Sequence, residues 1–142
     1  MTLLLVHAAA TLTMVGIIWF VQVVHYPLFA AVGPDGFVAY EARHTQLTAW
    51  VVGPPMVVEG VTALLLIAAR PDGVPIALAL ASLALLGVVT ASTVSFQVPI
   101  HGRLSQRWDP ADAQRLVRTN WIRTIGWTAR GVLALTMVEM AA

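Results

Sequence analysis

The chain contains no cysteine and no lysine among its 142 residues. Without cysteine, disulfides, iron–sulfur clusters, thiolate zinc sites and cysteine nucleophiles are excluded. Charge is scarce as well: charged residues make up 11% of the chain, against about 25% in an ordinary soluble domain. A formal net charge of +1 gives no footing for nucleic acid as the main partner. The chain has no Gly-rich phosphate loop, nucleophile elbow, HExxH motif, or nicotinamide or flavin fingerprint. Apolar side chains are abundant. Hydrophobic residues make up 58% and the mean hydropathy is +0.81, which excludes disorder and argues against a water-soluble globule. The length fits one domain.

A helix needs about 20 mostly apolar residues to cross the hydrocarbon core of a bilayer. Four stretches qualify, at about residues 3–24, 47–69, 74–98 and 122–140. The expected fold is therefore all-α: an integral membrane four-helix bundle of two helical hairpins in tandem, forming a single domain over residues 1–142. The first stretch does not read as a cleaved signal peptide, because no basic residue precedes it and its apolar run is too long. Arg70-Pro71-Asp72-Gly73 is a turn sequence, which makes a tight hairpin of the second and third spans. Arg43, Arg103, Arg107, Arg115, Arg118 and Arg123 lie in or beside the two longer connections, whereas Arg70 alone lies at the turn. That bias places the longer connections in the cytoplasm and both termini outside.

The two halves resemble each other at an offset of about 75 residues once short gaps are allowed: Gln22 matches Gln97, His25 matches His101, Leu28 matches Leu104, Arg43 matches Arg118 and Trp50 matches Trp127. Read as a parallel repeat, this pattern places a site at the repeat interface, where His25 and His101 would approach each other.

A polar side chain in lipid is costly, so it should face the bundle interior. At about 100° per residue the polar groups of each span share one face. These faces carry His7, Thr11, Gln22 and His25; His44, Thr48, Pro55 and Glu59; Thr90, Thr93, Gln97 and His101; and Asn120, Arg123, Trp127 and Arg130. Threonines on such a face serve as helix-to-helix glue at about 0.6 kcal/mol per hydrogen bond. Imidazoles, a carboxylate and guanidiniums are harder to explain that way. By depth, His25, His44, His101, Gln22, Gln97, Asn120 and Arg123 fall at the cytoplasmic ends of their helices. Glu59 lies about 22 Å along its helix from His44 and Arg130 about 10 Å from Arg123, so the two approach each other near mid-membrane. His7 lies near the outer face, and Pro54-Pro55 is expected to kink the second span.

Two chemistries suit this set. In the first, His25, His44 and His101 with Glu41, which stands at i, i+3 to His44, form a ligand set for iron, copper, zinc or haem. In the second, His101, His44 and Glu59 act as acid and base while Asn120, Gln97 and Arg123 stabilise a developing oxyanion. Gln22, Gln97, Tyr40, Trp127 and Arg130 would then line the substrate pocket, with Tyr26 and Tyr40 as proton donors. Trp19, Trp50, Trp108 and Trp121 suit the interfacial belt. Asp109-Pro110 is an N-cap followed by Pro at N1, so the last helix begins before its span.

The segments His25-Tyr26-Pro27-Leu28-Phe29, Tyr40-x-x-x-His44, Pro55-x-x-x-Glu59, Gln97-Val98-Pro99-x-His101 and Asn120-Trp121-Ile122-Arg123-Thr124 resemble a group of small four-span bacterial membrane proteins. That group is similar to the anthrone oxygenase-like family, whose members oxidise polycyclic anthrones to quinones. The resemblance implies a multi-pass protein of the bacterial plasma membrane. It also implies a hydrophobic aromatic or quinol-like substrate reaching the site from the lipid bilayer. His101, Asn120 and Arg123 would be the site residues, joined by His25, His44 and Glu59. The expected function is thus an oxygenase-like membrane oxidoreductase. The alternative readings are a metal-, haem- or lipid-binding protein without turnover, and an ion- or proton-path or interaction subunit. Assembly as a homo-oligomer is compatible with each.

Overall fold

The computed structural model describes residues 1–142. The chain is all-α. Helix α1 (Thr2–Phe20) continues through a π-helical turn, Val21–His25. A short α2 (Phe29–Val32) leads into the long α3 (Pro34–Ala68). Helix α4 (Ile76–Ser92) continues through a second π-helical turn, Thr93–Gln97, into α5 (Val98–Leu104). Helix α6 (Pro110–Ala141) closes the chain.

Local sequence explains the boundaries. Gly33 takes φ +82°, and Pro34 then occupies the first turn of α3 with a preset φ. Asp109 caps α6 by accepting from the Ala111 and Asp112 backbone N–H groups at 2.9 and 3.4 Å. Between α3 and α4, Arg70 Nε donates to the Val74 carbonyl at 3.2 Å and Gly73 takes φ +85°. Helix α3 runs unbroken through Pro54 and Pro55 and starts well before the second apolar stretch, so much of the connection between the first two spans is helical. The third apolar helix likewise extends to Leu104 rather than ending at 98.

The four long rods form a ring in chain order. Helix α1 packs on α3 and α6, α4 packs on α6, and the α3–α4 seam is thinner. Small residues let α6 approach its neighbours closely. A Cβ at Gly126 would meet Val89 Cγ2 at 2.6 Å, and one at Gly131 would meet Val15 Cγ2 at 3.1 Å.

The core has two apolar clusters. One holds Met14, Ile18, Phe29, Phe37, Val89, Leu116 and Trp127; the other holds Leu4, Leu66, Val74, Ala79 and Met137. A polar layer separates them, with His7 and Thr11 from α1, Glu59 and Thr62 from α3, Ser82 from α4 and Arg130 from α6. Apolar side chains also cover the outside: Trp50 is 76% exposed, Val94 63% and Ile125 64%. Polar inside and apolar outside is the pattern of a bundle whose solvent is hydrocarbon. Three helices, Thr2–His25, Pro34–Ala68 and Ile76–Leu104, are long and apolar enough to cross a membrane.

Candidate functional site

The end of the bundle opposite the 69–75 turn gathers histidines from three elements. His25 comes from the π-helical turn after α1, His44 from α3 and His101 from α5. A π-turn winds wider than an α-turn, so it shifts the residues that follow it around the helix; such turns often mark functional positions. Both α1 and α4 carry one, at corresponding places in the two halves.

His25 Nε2 lies 2.8 Å from His44 Nδ1, and the Thr48 hydroxyl lies 3.1 Å from that same nitrogen. His25 and His101, expected to approach each other, do so with His44 between them. Its ring centroid is 4.5 Å from that of His25 and 5.4 Å from that of His101. Phe29 sets its edge against His25 and His44 at 5.2 and 5.3 Å. The second motif residue of α3, Glu41, is fully buried and turned towards α5. Its Oε1 pairs with His101 Nδ1 at short range, while Oε2 has no partner. The Tyr26 hydroxyl meets the other nitrogen of His101, Nε2, at 2.9 Å. Tyr26, His101 and Glu41 thus form a relay whose middle member is held at both ring nitrogens. Tyr26 lies in the turn beyond the first apolar helix. Burial holds its hydroxyl above the ordinary tyrosine value, and the neighbouring Arg123 offsets this only in part. Tyr26 therefore remains a neutral hydroxyl near pH 7.

A groove of about 600 Å³ opens between α1 and α3 on the apolar exterior. Gly16 and Val51 line one end, and His25, Tyr40 and His44 line the other, with Arg43 beside them.

The remaining site candidates form two other groups. Gln22 accepts at Oε1 from Asn120 Nδ2 at 3.0 Å and from the Thr124 hydroxyl at 3.3 Å, and its Nε2 donates to the Val117 carbonyl. Arg123 donates to Asn120 Oδ1 at 3.3 Å and lies over the Trp127 ring at 5.2 Å. Gln97 donates to the Thr119 hydroxyl and accepts from Ser92, away from the histidines. Its counterpart in the other half, Gln22, also faces α6, so both glutamines tie a π-turn to the last helix. Deeper still, Glu59 receives Arg130 Nε on Oε1 at 3.0 Å and Trp127 Nε1 on Oε2 at 2.9 Å. Arg130 Nη1 donates to the Ser82 carbonyl; Nη2 lies 2.9 Å from Glu59 Oε1 but is not aligned for a hydrogen bond. Gln22, Gln97, Trp127 and Arg130 are therefore buried in helix–helix contacts, and among the expected pocket residues Tyr40 alone lines the groove. Glu59 is fully paired and lies apart from His25, His44 and His101.

Two participants had little or no signal in the sequence. The Ser82 contact uses a backbone carbonyl, which any residue carries. Phe29 looked like another apolar side chain. His7, expected on the inward polar face of its helix and towards the outer side of the membrane, is fully buried and bonded to Thr62 at 2.8 Å. The Thr62 hydroxyl also lies 2.7 Å from the Val58 carbonyl, which takes its proton. His7 Nδ1 is therefore the donor of its pair, and Nε2 is left unpartnered.

No family model, curated protein or solved structure matches this chain.

Proposed function

We propose that this protein is a four-span membrane oxidoreductase that acts on a lipophilic molecule bearing an acidic proton, such as an anthrone, phenol or quinol. The observation that carries the reading is the groove between α1 and α3. It opens on the apolar exterior, where a lipid-soluble molecule arrives, and ends on His25, Tyr40 and His44. Apolar walls with a few convergent polar groups are what a site for such a ligand requires.

Helix α6 serves as the fourth span in this reading, although its mean hydropathy is low. Its polar residues Asn120, Arg123 and Arg130 point inwards, and its outer face is Ile122, Ile125, Val132 and Leu135. A hydropathy average cannot distinguish facing from composition. The arginine bias then orients the histidine end to the cytoplasm and the termini outside.

The chemistry begins with proton removal. The imidazole of His44, held by His25 and Thr48, accepts a proton from the substrate, and the Glu41–His101–Tyr26 relay supports charge in the same cluster. For an anthrone, the ring CH₂ and O₂ then give C=O and H₂O, so oxygen is the oxidant and is fully reduced. General-base catalysis of this kind is worth about 10²–10⁴-fold.

The test is oxygen uptake and quinone formation from anthrone by protein in nanodiscs under air. The wild type should accelerate both above the protein-free rate. His44→Ala and His101→Ala should lose about 10²-fold or more while keeping their helical content. Full activity in both variants, or no activity in the wild type with anthrone, phenol and quinol substrates alike, would sink the reading.

A further inference from the structure

We propose that Glu41, His44 and His101 together hold one divalent first-row transition-metal ion. The proposal deepens the reading above by naming a cofactor for the same site, with His25, which also lines the groove, left to accept the substrate's proton once His44 ligates; its test needs no turnover.

The carrying observation is the way three potential ligands from α3 and α5 converge. Each offers one ligand atom, and these atoms lie within 4.8 Å of one another. Ligands about 2.0–2.2 Å from a common ion lie up to roughly 4.2 Å apart, so small side-chain rotations close the set. The set comprises two imidazoles and one carboxylate. That composition suits iron, manganese, cobalt or zinc and leaves coordination positions open. With no cysteine in the chain, no thiolate competes to select a softer ion.

Two further facts point to an ion. The first is the orphaned oxygen of Glu41. This side chain is fully buried, and its Oε2 has no hydrogen-bond partner. A proton shared with His101 accounts for Oε1 only. A cation accounts for both oxygens and removes the cost of an unpaired buried acceptor. The second is the fixed orientation of His101. Tyr26 occupies Nε2 at 2.9 Å, which leaves Nδ1 facing Glu41. A ligating histidine held through its other ring nitrogen is the usual outer-shell arrangement of a metal site. His25 holds His44 in a similar way from the opposite side. A haem does not fit between these rings, because the imidazoles stand 4.5 and 5.4 Å apart with Phe29 against them. His44 also lines the lateral groove, so the ion would sit where that groove ends.

The experiment titrates full-length, chelator-treated protein in nanodiscs with Co(II), then with Fe(II) under anaerobic conditions. Stoichiometry is read by metal analysis and coordination by the visible Co(II) bands. One ion per chain is expected, with Glu41→Gln, His44→Ala and His101→Ala each weakening binding at least 100-fold. Tyr26→Phe should keep the ion and weaken it by about 10–100-fold. No binding, or binding that survives all three ligand substitutions, overturns the proposal. Should those variants fail to fold, Cu(II)-loaded wild type decides instead. Nitrogen hyperfine coupling from two imidazoles supports the site, and coupling from one or none overturns it. Metal bound without turnover would leave this inference standing and remove the oxidoreductase reading. Turnover by a metal-free protein would do the reverse.

Discussion

Arg130 on α6 donates through Nε to Oε1 of Glu59 on α3 at 3.0 Å, and neither residue has any solvent exposure. Trp127 takes the other carboxylate oxygen and the Ser82 carbonyl takes a second guanidinium nitrogen. This pair joins α3 to α6 across the centre of the ring of helices, between the two apolar clusters. Removing one partner leaves an uncompensated buried charge, which costs about 3–5 kcal/mol. Glu59→Gln and Arg130→Met should each destabilise the bundle by that order in denaturant titrations in detergent. The double variant Glu59→Leu/Arg130→Met should recover most of the loss, short of about 1 kcal/mol or more for the stranded Trp127 N–H. A double variant as unstable as the worse single one would show that the pair is not a closed unit.

The groove is tested by filling it. A Cβ at Gly16 meets nothing within 4 Å, and Gly16 lines the groove wall. Gly16→Phe should therefore fold normally and put its ring where the substrate passes. With an active substrate, KM should rise about 10-fold or more while kcat and metal content change little. An unchanged KM would place substrate access elsewhere.

Topology can be read without a background signal, since the chain has no cysteine of its own. A membrane-impermeant maleimide added to intact cells should label Asp72→Cys but not Gln106→Cys. Inverted vesicles should reverse the result. Equal labelling of both from one side would contradict a four-span arrangement, and the opposite sidedness would invert the orientation.

One pH dependence follows from the clamp across the α5–α6 turn. Arg103 donates from Nε and Nη2 to the two oxygens of Asp112, at 2.8 and 2.6 Å. Those bonds hold the Asp112 carboxyl below the ordinary aspartate range. Above that range both folded and unfolded chains are ionised here, and the contribution is complete. As pH falls below about 4, the unfolded chain takes the proton first, and the contribution drains until the folded carboxyl is protonated too. Wild type should therefore lose more thermal stability between about pH 6 and pH 3 than Asp112→Asn does. The difference will be small, because the pair faces solvent. Equal losses would mean that the clamp adds nothing.

Much of the architecture is legible one residue at a time. Apolar stretches of spanning length, the Pro71-Asp72-Gly73 turn, the Asp109-Pro110 cap and an inward polar face on each rod all follow from local spacing. The meeting of Glu59 with Arg130 also follows, because depth along a helix rises by about 1.5 Å per residue and both residues lie well inside their helices. The histidine cluster is less direct. A constant rise per residue puts His25, His44 and His101 at one depth, which holds. A constant angle per residue also puts Gln97 on the face of His101, but that side chain faces Thr119.

The amino-acid order alone determined that this chain is helical, apolar outside and polar along one face of each rod. Those properties depend on composition and on the helical period, both of which are local. Tertiary structure decided which polar groups became partners. Glu41 chose His101, sixty positions away, over the nearby His44. Trp127 gave its N–H to Glu59 instead of lining a pocket. The two π-turns rotated what followed them, and a backbone carbonyl at Ser82 took part of a guanidinium. Such choices depend on how four rods turn and settle against one another. In an apolar surrounding, each buried polar atom must find a partner among those the packing brings near.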